Sequence, residues 1–184
     1  VGATMGSNVL KSVAGNLALS SSVAVNSWTN ASTGITTLGS GVTLSMHSGA
    51  LLFTTTSTIT GGTLDLSGTN EGIVHLASGA AVTATINSTL AGTNGLTLSS
   101  TGAGNKILVL GGSNTFTGGV DLMAGTLTLG STTALGVTGG TLTITGGTTL
   151  NSSVASLVNA NNNAIVMNGD FTFTGTQSLD LGTG

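Results

Sequence analysis

Along most of this chain, Thr or Ser alternates with an aliphatic residue in short runs, and Gly, Ser or Asn closes each run. GGTLDLSG (61–68), GLTLSS (95–100), AGTLTLG (124–130) and GGTLTITGG (139–147) are the clearest cases. GVTLSM (41–46), GIVHLASG (72–79), NKILVLGG (105–112), GDFTFTG (169–175) and QSLDLG (177–182) are looser relatives. A period of two in β-formers, bounded by turn residues, predicts strands. No stretch combines a 3.6-residue period with a cap and a charged face, so the chain reads as all-β. The least strand-like stretch, 151–164, reads as a loop or a short helical excursion.

The way the strands are joined decides the architecture. Asn94-Gly95 and Asn168-Gly169 could make the tight turns of hairpins, which would build a β-sandwich. The other separators are mostly Gly-Gly, Ser-Gly and Thr-Gly, which also suit the bends of a coil whose strands stack in parallel. In such a β-solenoid, Leu127 and Leu129 point inward while Thr126 and Thr128 point out. At roughly 20 residues per turn the chain makes about nine turns, a rod of about 43 Å at the strand spacing. The expectation is one solenoid domain over 1–184, with the sandwich as the alternative.

Composition favours the coil. Charged residues make up 4% of the chain, net charge is -3, and there is no Pro or Cys. Like charges repeated every ~4.8 Å up a stack would repel, whereas Thr and Asn can repeat freely. Without Cys the core is held by neither disulfides nor a thiolate-bound metal. Lys11 and Lys106 are the only basic residues apart from histidine, too few to neutralise a phosphate backbone, so nucleic acid is excluded as a partner. No apolar run approaches the ~18 residues of a membrane span, and four Phe and one Trp are too few for the girdles of a membrane barrel. No membrane insertion is expected. The start VGATMGSNVLKSVAG lacks the basic-then-apolar order of a signal peptide, so the chain is taken as a mature product or an excerpt. The Asn-X-Ser/Thr triplets at Asn30, Asn87 and Asn151 are those expected by chance in so Asn-, Ser- and Thr-rich a sequence.

Residues 111–136, GGSNTFTGGVDLMAGTLTLGSTTALG, carry a denser pattern. Gly112-Ser113-Asn114-Thr115-Phe116-Thr117-Gly118-Gly119 is followed by Ala124-Gly125-Thr126-Leu127-Thr128-Leu129-Gly130 and then by Ala134-Leu135-Gly136. This resembles the autotransporter-associated β-strand repeat of bacterial autotransporter passengers. The likeness extends over 60–184, and residues 1–59 share only its style. The resemblance implies a right-handed parallel β-helix, secretion to the bacterial cell surface, and a structural or adhesive role as part of a surface fibre. Asp121 departs from it, standing in a strand that is commonly Thr, Ile and Val.

Candidate chemistry is sparse. Asp65, Glu71, Asp121, Asp170 and Asp180 are spread at one per turn or fewer, with no Arg. A glycosidase needs two carboxylates across a cleft, and a lyase needs clustered acids on calcium with a base beside them. The reading is therefore non-enzymatic, with Asp65 and Asp180 in equivalent outward slots of LDLSG and LDLGT. His47 and His75 stand far apart, and His75 is expected to point outward near Glu71, as a surface residue rather than a metal ligand. No Gly-Gly pair is followed by the Lys-Ser/Thr of a phosphate loop, and no cofactor is expected. The outward Thr pairs, above all Thr126, Thr128, Thr141, Thr143, Thr172 and Thr174, could form a ladder that binds ice or a surface glycan. Thr is also the best β-former that stays soluble. Finally, solenoid ends expose strand edges that free proteins cap. With no Pro and few charges, this chain is expected to join neighbouring repeats of the same protein or to stack end to end on copies of itself into filaments.

Overall fold

A computed structural model describes residues 7–11, 15–68 and 71–184. Among these residues there is no helix, and the strands in chain order are β1 (Asn8–Lys11), β2 (Leu17–Leu19), β3 (Val23–Asn30), β4 (Ile35–Phe53), β5 (Ser57–Asp65) and β6 (Gly72–Ala77). They continue as β7 (Val82–Ile86), β8 (Thr89–Ala91), β9 (Leu96–Thr101), β10 (Lys106–Leu110), β11 (Val120–Leu122) and β12 (Thr126–Leu129). The last are β13 (Thr141–Ile144), β14 (Thr149–Ser152), β15 (Leu157–Val158), β16 (Ala164–Met167), β17 (Thr172–Phe173) and β18 (Leu179–Asp180).

Every strand pair is parallel and joins one turn to the next, so the strands wind into a β-solenoid. One face stacks β1, the end of β3, the end of β4, β6, β9, β11, β13 and β16. A second stacks β2, the starts of β4 and β5, β7, β10, β12, β14 and β17. A third side begins as strand, from the start of β3 through the middle of β4 and the end of β5 to β8. β4 turns two corners, with a shift of register at each, and so contributes to all three sides in its 19 residues.

The coil has about seven turns rather than nine. Ala50 lies under Ile73 and Ile73 under Thr97, spacings of 23 and 24 residues. Three sides and their corners need more chain than the estimate of roughly 20 allowed, and the rod shortens to about 34 Å. The hairpin alternative fails on the same ladders. Asn94-Gly95 leads into β9, and Asn168-Gly169 links β16 to β17, which pair with different strands, β13 and β14. Both are corners of a coil.

The alternating sequence becomes columns of like residues up the axis. Trp28, Leu51, Val74, Leu98, Leu122 and Ile144 stack in register on the first face, all at most 1% exposed. Ala84, Leu108, Leu127 and Leu150 do so on the second. Each buried Leu contributes about 1.5–3 kcal/mol by leaving water. Leu127 and Leu129 are inward as expected; Thr126 is half-buried, and Thr128, although between them, is also buried. The columns run out at Met167 and Phe173, which are 59% and 44% exposed.

Between β8 and β15 the third side is not a strand ladder, and Asn side chains take over; a short ladder returns where β15 pairs β18. Buried Asn114 accepts from Leu90 N at 2.9 Å through Oδ1 and donates from Nδ2 to Ala134 O at 2.8 Å. One amide thus ties together three successive turns. Thr115 N and Thr117 N add bonds to Leu90 O and Gly92 O, and Val137 N bonds Phe116 O above. Gly112 has to be Gly, because a Cβ there would collide with the Ser88 carbonyl, and Gly119 has φ +89° against Thr141 of the next turn. The stretch 151–164 holds no helix. After β14 and β15 it forms an Asn corner, with Asn161 donating to Gly136 O at 2.6 Å and Asn163 to Val137 O at 2.9 Å.

Candidate functional surface

The acids are placed singly. Asp65 and Asp180 play the same part, each accepting from the backbone N two residues on, Ser67 N at 2.9 Å and Gly182 N at 2.8 Å. Such Asx turns shape corners. Asp121 is exposed on β11, in register between Thr97 and Thr143. Asp170 is exposed in the corner between β16 and β17. Glu71 accepts from Thr97 Oγ1.

His47 is exposed. His75 points outward as expected, but its partners are hydroxyls of the next turn, not Glu71. Nδ1 lies 2.8 Å from Ser99 Oγ and Nε2 3.1 Å from Thr101 Oγ1. Among the described residues no three His, Asp or Glu stand together as metal ligands. Beside His75, a shallow groove of about 220 Å³ runs over Ser27, Thr29, Ala50, Leu52 and Ile73. Asn30, the first of the glycosylation-like triplets, is fully buried.

The six Thr do not form one ladder. Thr126 and Thr172 share a column on the second face, bridged in register by Thr149. Ile107 interrupts that column below Thr126, with Thr83 beneath it. Thr128 belongs to a neighbouring column with Val109 and Asn151, and Thr174 N continues it by bonding Leu150 O. Thr141 and Thr143 lie on the first face, beside Ala164 and Val166. Of the six, only Thr126 and Thr172 therefore share a continuous hydroxyl column, Thr126–Thr149–Thr172; Thr43, Thr63 and Thr89 form another on the third side.

Two residues escaped the sequence reading. Asn114 is one, a structural tie rather than a site. The other is Lys106, which is 5% exposed and occupies the inward column with Leu108 and Leu110. Its Nζ donates to Ala80 O at 2.9 Å, Gly104 O at 3.2 Å and Ala103 O, which uses its three N–H groups. The alternation of NKILVL already places Lys106 inward with Leu108 and Leu110; the signal was present.

Comparison with known proteins adds one relationship. The chain is 42% identical over 120 residues to the adhesin BmaC autotransporter of Brucella suis biovar 1 (strain 1330). It is similar to autotransporter adhesin sequence. The match takes in 65% of this chain but spans only 3% of that protein's length. No family model and no solved structure matches the chain. The autotransporter likeness read from residues 111–136 thus has a counterpart in a curated adhesin, and the parallel solenoid is the fold that likeness implied.

Proposed function

We propose that this chain is a stretch of an extracellular, non-catalytic β-solenoid displayed on a bacterial surface, where it serves as structural and adhesive scaffold. The identity with an autotransporter adhesin carries the reading. It is supported by an outer surface of hydroxyls, with acids that shape corners singly or face solvent alone. The coil's end partner is more coil of the same kind, in the same protein or another copy, which would cover Met167 and Phe173. Beads coated with the folded chain should be retained on epithelial cells or abiotic surfaces, and beads coated with urea-unfolded chain should not. Equal retention of both would count against an adhesive role for the fold. In sedimentation, Phe173→Asp should abolish any concentration-dependent growth into longer species; a parent chain monomeric at every concentration would remove the end-on partner.

A second reading has its own support, the column Thr126–Thr149–Thr172. Hydroxyls repeating every ~4.8 Å suit a regular lattice such as ice or crystalline polysaccharide. Thr149→Lys should then abolish thermal hysteresis or retention on insoluble glycan. A parent chain showing neither property would end this reading.

A further inference from the structure

Thr97, Ser99 and Thr101 are alternate hydroxyls of β9, and all three are engaged from the turn below. Glu71 accepts from Thr97, and His75 meets the other two. The register of β6 on β9 sets this up, with His75 on the rung below Ser99 and Ala77 below Thr101. Among the described residues these are the only hydroxyls with an imidazole partner. Strand β4 pairs with β6 below, and β11 pairs with β9 above, so the cluster lies well inside the coil.

With its proton on Nε2, the His75 ring donates to Thr101 Oγ1 and leaves the Nδ1 lone pair to accept from Ser99 Oγ. That is the arrangement of a nucleophile, a base and a group that orients the base. Ser99 is the better nucleophile of the two hydroxyls, because its contact is the shorter, 2.8 against 3.1 Å, and its hydroxyl is primary. Ser99 and His75 are both half-buried, so neither is sealed from solvent. On the other side of His75, the groove of about 220 Å³ runs down over Ile73, Leu52 and Ala50 to Ser27 and Thr29. Leu52 lies two rungs below Ser99, about 10 Å at the strand spacing.

We infer that Ser99 is a site of self-acylation, taking the acyl group of an activated ester whose hydrocarbon chain lies in this groove. Oγ of Ser99 attacks the ester carbonyl carbon, and its proton passes to Nδ1 of His75. The bond from that carbon to the leaving oxygen then breaks, and this oxygen takes the proton back from His75 as the alcohol departs. Ser99 is left as an ester and His75 as neutral imidazole, and nothing is oxidised or reduced. The groove selects for length. An acetyl group ends beside Ser99, whereas a chain spanning two rungs passes His75 and buries its methylenes against Ile73 and Leu52. The acyl group stays on the chain, so the scaffold gains a hydrocarbon anchor on its first face.

The test is to incubate the intact folded chain with p-nitrophenyl octanoate, quench in acid, and locate the octanoyl group by peptide mass spectrometry. Label should collect on Ser99 faster than on any other hydroxyl, and in urea Ser99 should lose that advantage. p-Nitrophenyl acetate should label Ser99 several-fold more slowly, once each rate is scaled to that ester's reactivity with free imidazole. Ser99→Ala and His75→Gln should each abolish the label at this site while leaving the circular dichroism of the coil unchanged. Thr101→Val should slow labelling, and Thr101→Ser should restore it. The inference is overturned if the label falls on Thr101 or on many hydroxyls alike. It is equally overturned if His75→Gln leaves the rate at Ser99 unchanged, or if acetate labels as fast as octanoate.

Discussion

Asn30 and Asn114 are both buried asparagines in the same coil, 0% and 3% exposed, yet they live under opposite conditions. Asn114 belongs to the later turns, and both ends of its amide bond backbone, one turn below and one above. Asn30 belongs to the early turns, and neither Oδ1 nor Nδ2 has a partner. Trp28 Nε1, Thr36 Oγ1 and Thr55 Oγ1 in the same region are also buried without partners. The early turns close their third side with strand ladders, from β3 through β4 and β5 to β8, so backbone bonds hold that side. The turns around Asn114 close it with side-chain amides, before the short β15–β18 ladder restores strand pairing on that side. An inward amide is structural in the second arrangement and a burden in the first, since a buried polar group without a bond costs about 1–3 kcal/mol.

This contrast sets the expected order of mutational effects. Asn114→Leu strands Leu90 N–H and Ala134 C=O, and should lower unfolding stability by about 3 kcal/mol in urea titration. A loss under about 0.5 kcal/mol, the scatter of surface changes, would mean that the amide ties nothing. Asn30→Leu, with the same number of side-chain heavy atoms, should do the reverse and raise stability by about 2 kcal/mol. A clear loss instead would show that Asn30 has partners after all. Lys106→Met should have the smallest effect, about 1 kcal/mol of destabilisation. Its column position suits an apolar residue, and the freed carbonyls of Ala80, Ala103 and Gly104 belong to exposed residues that water can reach. A loss of several kcal/mol would place that corner in the core.

Much of the coil was legible in the sequence because a stacked parallel sheet writes its rule into every strand. Leu127 with Leu129, and Asp65 with Asp180, were placed correctly by alternation alone. The turn count was not, because corner length is set by how Gly and Asn pack against the neighbouring turn rather than by periodicity. The repeat at 111–136 was recognisable as a pattern, but the reason for its Asn lay in contacts with Leu90 and Ala134, 24 residues before and 20 after. The Thr ladder failed for the same reason. Thr-x-Thr gives the outward positions of one strand, whereas a ladder depends on register between turns. That register put Ile107 below Thr126 and moved Thr141 and Thr143 to another face.

The central claim is that one parallel coil runs through both regions, whatever closes its third side. Thr58, Thr85, Val109, Thr128 and Asn151 form a single outward column that crosses the boundary between them. The protein has no cysteine, so Thr58→Cys with Asn151→Cys can carry a pair of spin labels at these two sites alone. Four rungs separate the labelled positions, about 19 Å at the strand spacing. Double electron–electron resonance should give one narrow distance population near that value, broadened only by the label arms. A broad distribution, or a peak well beyond about 30 Å, would contradict a continuous coil.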